Sequence, residues 1–143
     1  MTIERLAQRL GGRKVLRRAV RSELDLAQAI DQGLSIQALE HVLESADLDA
    51  SEAYELVGSR RTLMRKKKMR ANLSANESDR LARVVRMLGR AEEALADRDK
   101  AHRWLRKPNR ALGGRRPLEL LSSDVGSRMV ERVLGRIEHG IYS

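Results

Sequence analysis

Ser74-Ala75-Asn76-Glu77 opens a run in which Leu81, Val84, Val85, Leu88, Ala91 and Leu95 recur at steps of three and four. The spacing predicts one long amphipathic helix reaching about Ala96, and Ser and Glu three positions apart are the reciprocal cap that starts it. At about 1.5 Å per residue, such a rod is roughly 30 Å long. Whatever surrounds it must cover its apolar stripe. A sheet would need alternating strands, and no stretch of the chain alternates. Other helices are the remaining partners, so the expected fold class is all-α. The stripe lies close to a heptad seam, which leaves two ways to bury it: against its own domain or against a second copy.

The 143 residues allow one compact domain or two small helical ones. The chain has no Phe, one Trp and two Tyr, and a core of Leu, Ala and Val suits small helices better than a β-sandwich. With no Cys, disulfide and thiolate chemistry are excluded. Met1-Thr2-Ile3-Glu4-Arg5 lacks the apolar run of a signal peptide. No segment approaches the ~18 apolar residues that a membrane span needs. The expectation is a cytoplasmic protein without a membrane partner.

Helix signals punctuate the rest of the chain. Residues 4–10 and roughly 14–21 each read as helical, with Gly11-Gly12 between them. Ser22 caps a helix to about Gln32, with Leu24, Leu26, Ala27 and Ile30 inward and Gly33 as the stop. Ser35 opens a helix carrying Ile36, Leu39, Val42, Leu43 and Ala46. Leu48-Asp49-Ala50 reads as a turn, Ser51 as the cap of a short helix ended by Gly58, and Ser59 as the cap of a helix to about Arg70. Asp97 caps a helix with Ala101, Trp104 and Leu105 inward, stopped at Pro108. Pro117 starts a one-turn helix, and Asp124 caps the last one, which ends at Gly140. The domain boundaries read as a basic extension over 1–21, a first domain over 22–72 and a second over 73–143.

Charge is placed unevenly. The formal net charge is +9. Arg13, Lys14, Arg17, Arg18 and Arg21 form one run, Arg60 to Arg70 a second, and all 20 acidic residues lie outside both. Two dense basic patches on a slightly acidic body suggest a footprint for a polyanion rather than general stickiness. The segment 35–70 reads as helix, helix, tight turn, helix. In a helix-turn-helix the second helix enters the major groove with its N-terminal residues on base edges, which here are Ser59, Arg60, Arg61 and Thr62. Arg matches guanine O6 and N7, and Thr can meet a base or a phosphate. Arg65, Lys66, Lys67, Lys68 and Arg70 follow along the same helix, the last four on phosphates that set affinity rather than sequence. The alternative is a solvated basic face. The spacing of Ala53 and Leu63 fits the motif, but Gly58 sits one position later than the turn glycine commonly does. The run from Arg13 to Arg21 either lies along phosphates or packs as an amphipathic helix through Val15, Leu16, Ala19 and Val20.

In the last helix Val125, Met129, Val133 and Ile137 recur at spacing four, with Val130 and Leu134 beside them. This stripe should pack on the long helix and on Trp104. Arg128, Arg132 and Arg136 share the spacing and form a basic line alongside. That line is either a solvated stripe or a rigid set of forks for carboxylates or phosphates. Glu131 and Glu138 are seven apart and face together. The loop Asn109-Arg110-Ala111-Leu112-Gly113-Gly114-Arg115 invites comparison with a phosphate-binding loop, but no Lys-Ser/Thr pair follows and no strand precedes. Its plain role is a turn requiring positive φ.

Nothing points to catalysis. His41, His102 and His139 are scattered and lack partners at metal-ligand spacing. No Ser sits in a nucleophile elbow, and the acids lie at helix starts, where caps and dipoles explain them. The expectation is a non-enzyme with no metal and no cofactor.

Taken with these segments, Gly33-Leu34-Ser35, Arg61-Thr62-Leu63, Leu73 to Leu81, Ala91-Glu92, Trp104-Leu105, Asn109 to Leu121 and Arg136 to Tyr142 make the chain resemble the Xre/MbcA/ParS antitoxins of type II toxin–antitoxin systems. The C-terminal stretches are the specific ones. The family loop often begins Asn-Pro, and here Arg110 replaces the proline. The resemblance covers residues 33–143. It implies an N-terminal Xre-like helix-turn-helix domain followed by a C-terminal helical toxin-binding domain. It implies as partners a RES-domain toxin that consumes NAD or uses it for ADP-ribosyl transfer, and the promoter DNA of the protein's own operon. It also implies that Arg128, Arg132, Arg136, Glu138, Gly140 and Tyr142, helped by Gly113 and Gly114, block the toxin's active site. A homodimer, and a higher hetero-oligomer with toxin, would follow from the need to read a palindromic site. Two other readings stay open: a plain helix-turn-helix regulator whose C-terminal helices only dimerise, and an assembly adaptor with incidental basic patches.

Overall fold

The computed structural model describes residues 1–140. Its elements are α1 (Ile3–Arg9), α2 (Gly12–Leu16), α3 (Glu23–Gln32), α4 (Ile36–Glu44), α5 (Ala50–Leu56), α6 (Arg60–Met69), α7 (Ala75–Leu95), α8 (Arg98–Leu105), short 3-10 segments at Arg110–Leu112 and Pro117–Ser122, and α9 (Asp124–Glu138). Among the described residues there is no strand, only an isolated bridge between Asn109 and Arg115. The protein is all-α. It divides into two compact units between Val85 and Arg86, inside α7 rather than at residue 72. The start of α7 is held by the first unit: Ser78 Oγ accepts from the Leu34 N–H at 2.8 Å, and Arg80 donates to the Val57 carbonyl at 3.1 Å.

Most caps stand where the sequence puts them. Ser22 Oγ accepts from Asp25 N–H at 3.1 Å, Ser59 Oγ from Thr62 N–H at 3.2 Å, and an Asp97 oxygen from Lys100 N–H at 2.8 Å. Each such cap is worth roughly 1 kcal/mol. Two caps differ. α5 starts two residues earlier than Ser51 suggests, because Asp49 and Glu52 satisfy each other's N–H groups at 2.8 and 3.1 Å. α9 is capped by Ser123, whose Oγ takes the Gly126 N–H at 3.0 Å, and Asp124 is its first helical residue.

The first twenty residues belong to the first unit. Leu6, Leu10 and Val20 are buried, Arg9 pairs with Asp47 at 3.1 Å, and Ser35 Oγ donates to the Val15 carbonyl at 3.1 Å. The expected helix over 14–21 is not formed. α2 closes at Arg17, whose φ is 59°, and the chain turns so that Val20 reaches the core. The inward face of α3 is also rotated. Leu26, Ala29 and Ile30 point inward, while Leu24 is 67% exposed and Ala27 is exposed. In α4 the buried face is Ile36, Ala38, Leu39 and Val42. Leu43 is half-buried, and Ala46 lies beyond the helix, exposed.

In the second unit α9 packs closely against the 3-10 segment Pro117–Ser122, and its Glu131 and Glu138 also reach Arg90 on the long helix. Trp104 is half-buried. Gly126 makes the packing possible: a Cβ there would lie 1.9 Å from the Leu120 carbonyl oxygen. The buried face of α9 is Gly126, Ser127, Val130, Val133 and Leu134. Val125, expected inward, is 70% exposed, because the tight contact at Gly126 turns its neighbour outward. In α7, Leu81, Val84, Val85, Leu88 and Ala91 are all buried within the chain. The seam is therefore filled from inside and is not an open surface for a second copy.

Candidate functional site

Two helices carry the charged faces. α5 and α6 form the helix-turn-helix, with Ala53 and Leu63 both buried as the spacing requires. Gly58, in the turn between them, is not in the left-handed region. Its hydrogen faces the Glu77 carboxylate, and a Cβ would stand 3.0 Å from Glu77 Oε2 and 3.3 Å from Leu63 Cδ2. Close approach explains this glycine better than turn conformation does. Ser59 donates its hydroxyl to Thr62 Oγ1 at 2.9 Å while capping α6, so these two expected base-reading residues are engaged with each other. Opposite Leu63, at helical steps of four and three, stand Arg61, Arg65 and Lys68, all exposed. Arg60 and Lys67 flank them. Met64, expected from the sequence to anchor this helix inward with Leu63 and Val57, is instead 49% exposed on this face while those two are buried, and Arg60 Nε lies 3.4 Å from its sulfur. Arg70 caps α6 with φ 53°.

Lys66 stands apart from that face. Its ammonium forms an ion pair with Glu77, with the two side chains 14% and 10% exposed. Glu77 also closes the capping box of α7: it accepts from Ser74 N–H at 2.8 Å, and its own N–H donates to Ser74 Oγ at 3.1 Å. Burial pushes the Glu77 carboxyl up, but the Lys66 ammonium and the Ser74 N–H outweigh it and hold the group below the ordinary glutamate range. One signal for this was present: Lys66 lies three residues after Leu63, on the same side of the helix.

In the second unit the loop turns on Asn109. Its N–H donates to the Arg115 carbonyl at 3.0 Å, its carbonyl accepts from Gly114 N–H at 2.9 Å, and its side chain accepts from Ala111 N–H at 2.9 Å. Gly113 and Gly114 have φ of 67° and 79° with open space around them, so conformation is what requires them. Along α9, Arg128, Arg132 and Arg136 are exposed on the side away from Val130. Arg128 pairs with Asp124 at 3.0 Å. Among the described residues Arg132 and Arg136 have no acidic partner. Glu138, expected among the toxin-facing residues, is turned with Glu131 to Arg90 on α7, at 3.2 and 3.1 Å. The bond to Glu138 comes first, and together with Glu131 it raises the pKa of the Arg90 guanidinium against the effect of burial. Gly140 is exposed, with φ 70°. Tyr142 lies outside the described residues. Among those described, no group of three or more His, Asp or Glu is arranged to hold a metal ion. Among the same residues no helix is long and apolar enough to cross a membrane.

Comparison with known proteins agrees with both halves. Residues 25–86 match the antitoxin Xre-like helix-turn-helix domain. Residues 90–140 match the antitoxin Xre/MbcA/ParS C-terminal toxin-binding domain. An "Antitoxin Xre" of Yersinia enterocolitica is 31% identical over 82% of this chain and 81% of its own length. An "Antitoxin Xre" of Photorhabdus laumondii is 30% identical over 80% of this chain and 78% of its own. A Sphingobium "Prs ADP-ribosylating antitoxin" is 25% identical over 91% of this chain and 87% of its own. With a helix-turn-helix in one unit and the toxin-binding pattern in the other, the chain belongs to the Xre/MbcA/ParS family of antitoxins.

Proposed function

We propose that this antitoxin neutralises a RES-domain toxin, one that degrades NAD or uses it for ADP-ribosyl transfer, by obstructing the toxin's active site with α9 and the tail that follows. The observation that carries this reading is the segregation of charge on α9. Both of its later acids are drawn to Arg90, and among the described residues no acid pairs with Arg132 or Arg136 on the outward side. A helix held by Val130, Val133 and Leu134 fixes where the two arginine side chains start, and the planar guanidinium fork matches carboxylates or phosphates. Gly113, Gly114, Arg128 and Gly140 lie in the same unit and complete the proposed toxin-facing set, with Tyr142 in the tail. Glu138 acts within it by holding Arg90. Removing residues 136–143 and co-expressing the product with the toxin tests the reading. Cell growth should be lost, and intact neutralisation would refute it.

A second activity, repression of the operon, is supported by the exposed stripe Arg61, Arg65 and Lys68 on α6. Arg61→Ala should cost ~1–3 kcal/mol in binding to the operon's own promoter and blunt specificity. Binding a palindromic site would require pairing of two copies, with toxin joining the assembly. The competing reading, a regulator whose C-terminal helices serve only to dimerise, is disfavoured because the α7 stripe is already buried within one chain.

A further inference from the structure

A groove of about 220 Å³ in the first unit joins α6 to the N-terminal segment. Arg17 lines it from that segment, and Lys67 and Arg70 from the end of α6, with Ser35 and Asn72 beside them. Glu40 is the acid on its wall, so three cations face one carboxylate. Among the described residues no ion pair engages Arg17, Lys67 or Arg70. Like charges gathered round one concavity repel each other and make it attractive to an anion.

The ends of two helices bring the cations there. Arg17 and Arg70 are the left-handed residues that close α2 and α6, with φ of 59° and 53°. Arg17 is fixed in place by its N–H bond to the Arg13 carbonyl at 2.7 Å and by the buried Val20 beyond it. Ser35 gives its hydroxyl to the Val15 carbonyl, so α4 begins without a side-chain cap. Its first turn adds positive potential to the same wall.

We propose that Arg17, Lys67 and Arg70 clamp a phosphate of the duplex backbone beside the base-reading stripe, which makes the N-terminal segment part of the DNA surface. This rests on the reading of α6 as a DNA-contacting helix. Guanidinium forks match phosphate oxygens, and such a contact sets affinity and register without reading sequence.

The test uses the full chain, a promoter duplex and a scrambled duplex of equal length, titrated across a potassium chloride series. Arg17→Gly and Arg70→Gly remove the charge while suiting the left-handed backbone, and thermal unfolding checks that each variant folds. Each should weaken binding to both duplexes by the same factor and lower the salt slope by about 1. Arg17→Lys should restore the slope, whereas Arg61→Ala should narrow the ratio between the duplexes. An unchanged slope in a folded Arg17→Gly, with wild type still binding, overturns the clamp and leaves the α6 reading standing. A wild type that binds neither duplex overturns both. Saturable binding of inorganic phosphate to the DNA-free protein, abolished by Arg17→Gly, would reassign the groove to a free anion and also overturn the clamp.

Discussion

α6 and α9 use one device with opposite signs. On α6 a cation, Lys66, is withdrawn from the exposed side by Glu77. On α9 two acids, Glu131 and Glu138, are withdrawn by Arg90. The pairs also differ in depth. Lys66 and Glu77 are 14% and 10% exposed, whereas Glu131 and Glu138 are 46% and 38% exposed around Arg90. An enclosed pair whose loss strands a charge is strongly felt in stability, and a half-exposed one is worth little. The α6 pair therefore anchors a helix, while the α9 network chiefly sets which charge the outward face presents.

The largest expected effect tests the premise that α9 is rigid. Gly126→Val places side-chain carbon against the Leu120 carbonyl and should cost about 3 kcal/mol or more by overpacking. In thermal unfolding the second unit should lose its transition, toxin neutralisation should fail, and promoter binding should persist. Next, Glu77→Gln leaves Lys66 enclosed without a counter-charge and should destabilise by about 2–3 kcal/mol in urea titration. Lys66→Met in turn strands the Glu77 carboxylate, 10% exposed, and should cost a similar amount, eased by the Ser74 N–H that still donates to it, whereas Lys66→Met/Glu77→Gln should cost less than either single change. Because the Glu77 carboxyl is held below the ordinary range, its contribution is present at neutral pH and is lost as pH falls through that lowered value. The gap between wild type and Glu77→Gln should therefore close on acidification; a gap that widened would refute the anchoring role.

Arg90→Gln should change stability by less than about 1 kcal/mol, yet it frees Glu131 and Glu138 beside the Arg132 and Arg136 line. Toxin affinity should fall roughly tenfold, about 1.4 kcal/mol, as read by calorimetry. A large stability loss with unchanged affinity would mean that the network anchors after all. The smallest effect is the sharpest for α6: Lys68→Met should lower the salt slope of DNA binding by about 1, and Lys66→Met should leave it unchanged.

What the sequence disclosed follows from the range of the interactions. Caps such as Ser22, Ser59 and Asp97 act over three residues, so their partners were visible beside them. Asp49 displaced Ser51 because only Asp49 has a Glu three positions on. The fate of Lys66 depended on Glu77, 11 residues away, and that of Glu131 and Glu138 on Arg90, 41 and 48 residues away. No local rule reports such pairs. Leu24 was assigned inward by apolar character and Val125 by its spacing of four with Met129 and Val133, although the faces of α3 and α9 are set by Ala29 and Gly126. Small residues at close approaches carry little hydropathy, so the residue that positions α9 was silent. The basic crest of α6 and the Arg line of α9 were legible as patterns, and the structure sharpened which members stand free.

The central claim is that Arg132 and Arg136 form the cationic face that meets the toxin. It is tested most directly by measuring toxin binding with calorimetry for Arg132→Ala/Arg136→Ala against Arg103→Ala, an exposed arginine of α8 outside the proposed set. The double variant should bind at least a hundredfold more weakly, while Arg103→Ala should stay within a few-fold of wild type. Full-strength binding and neutralisation by the double variant would contradict the account.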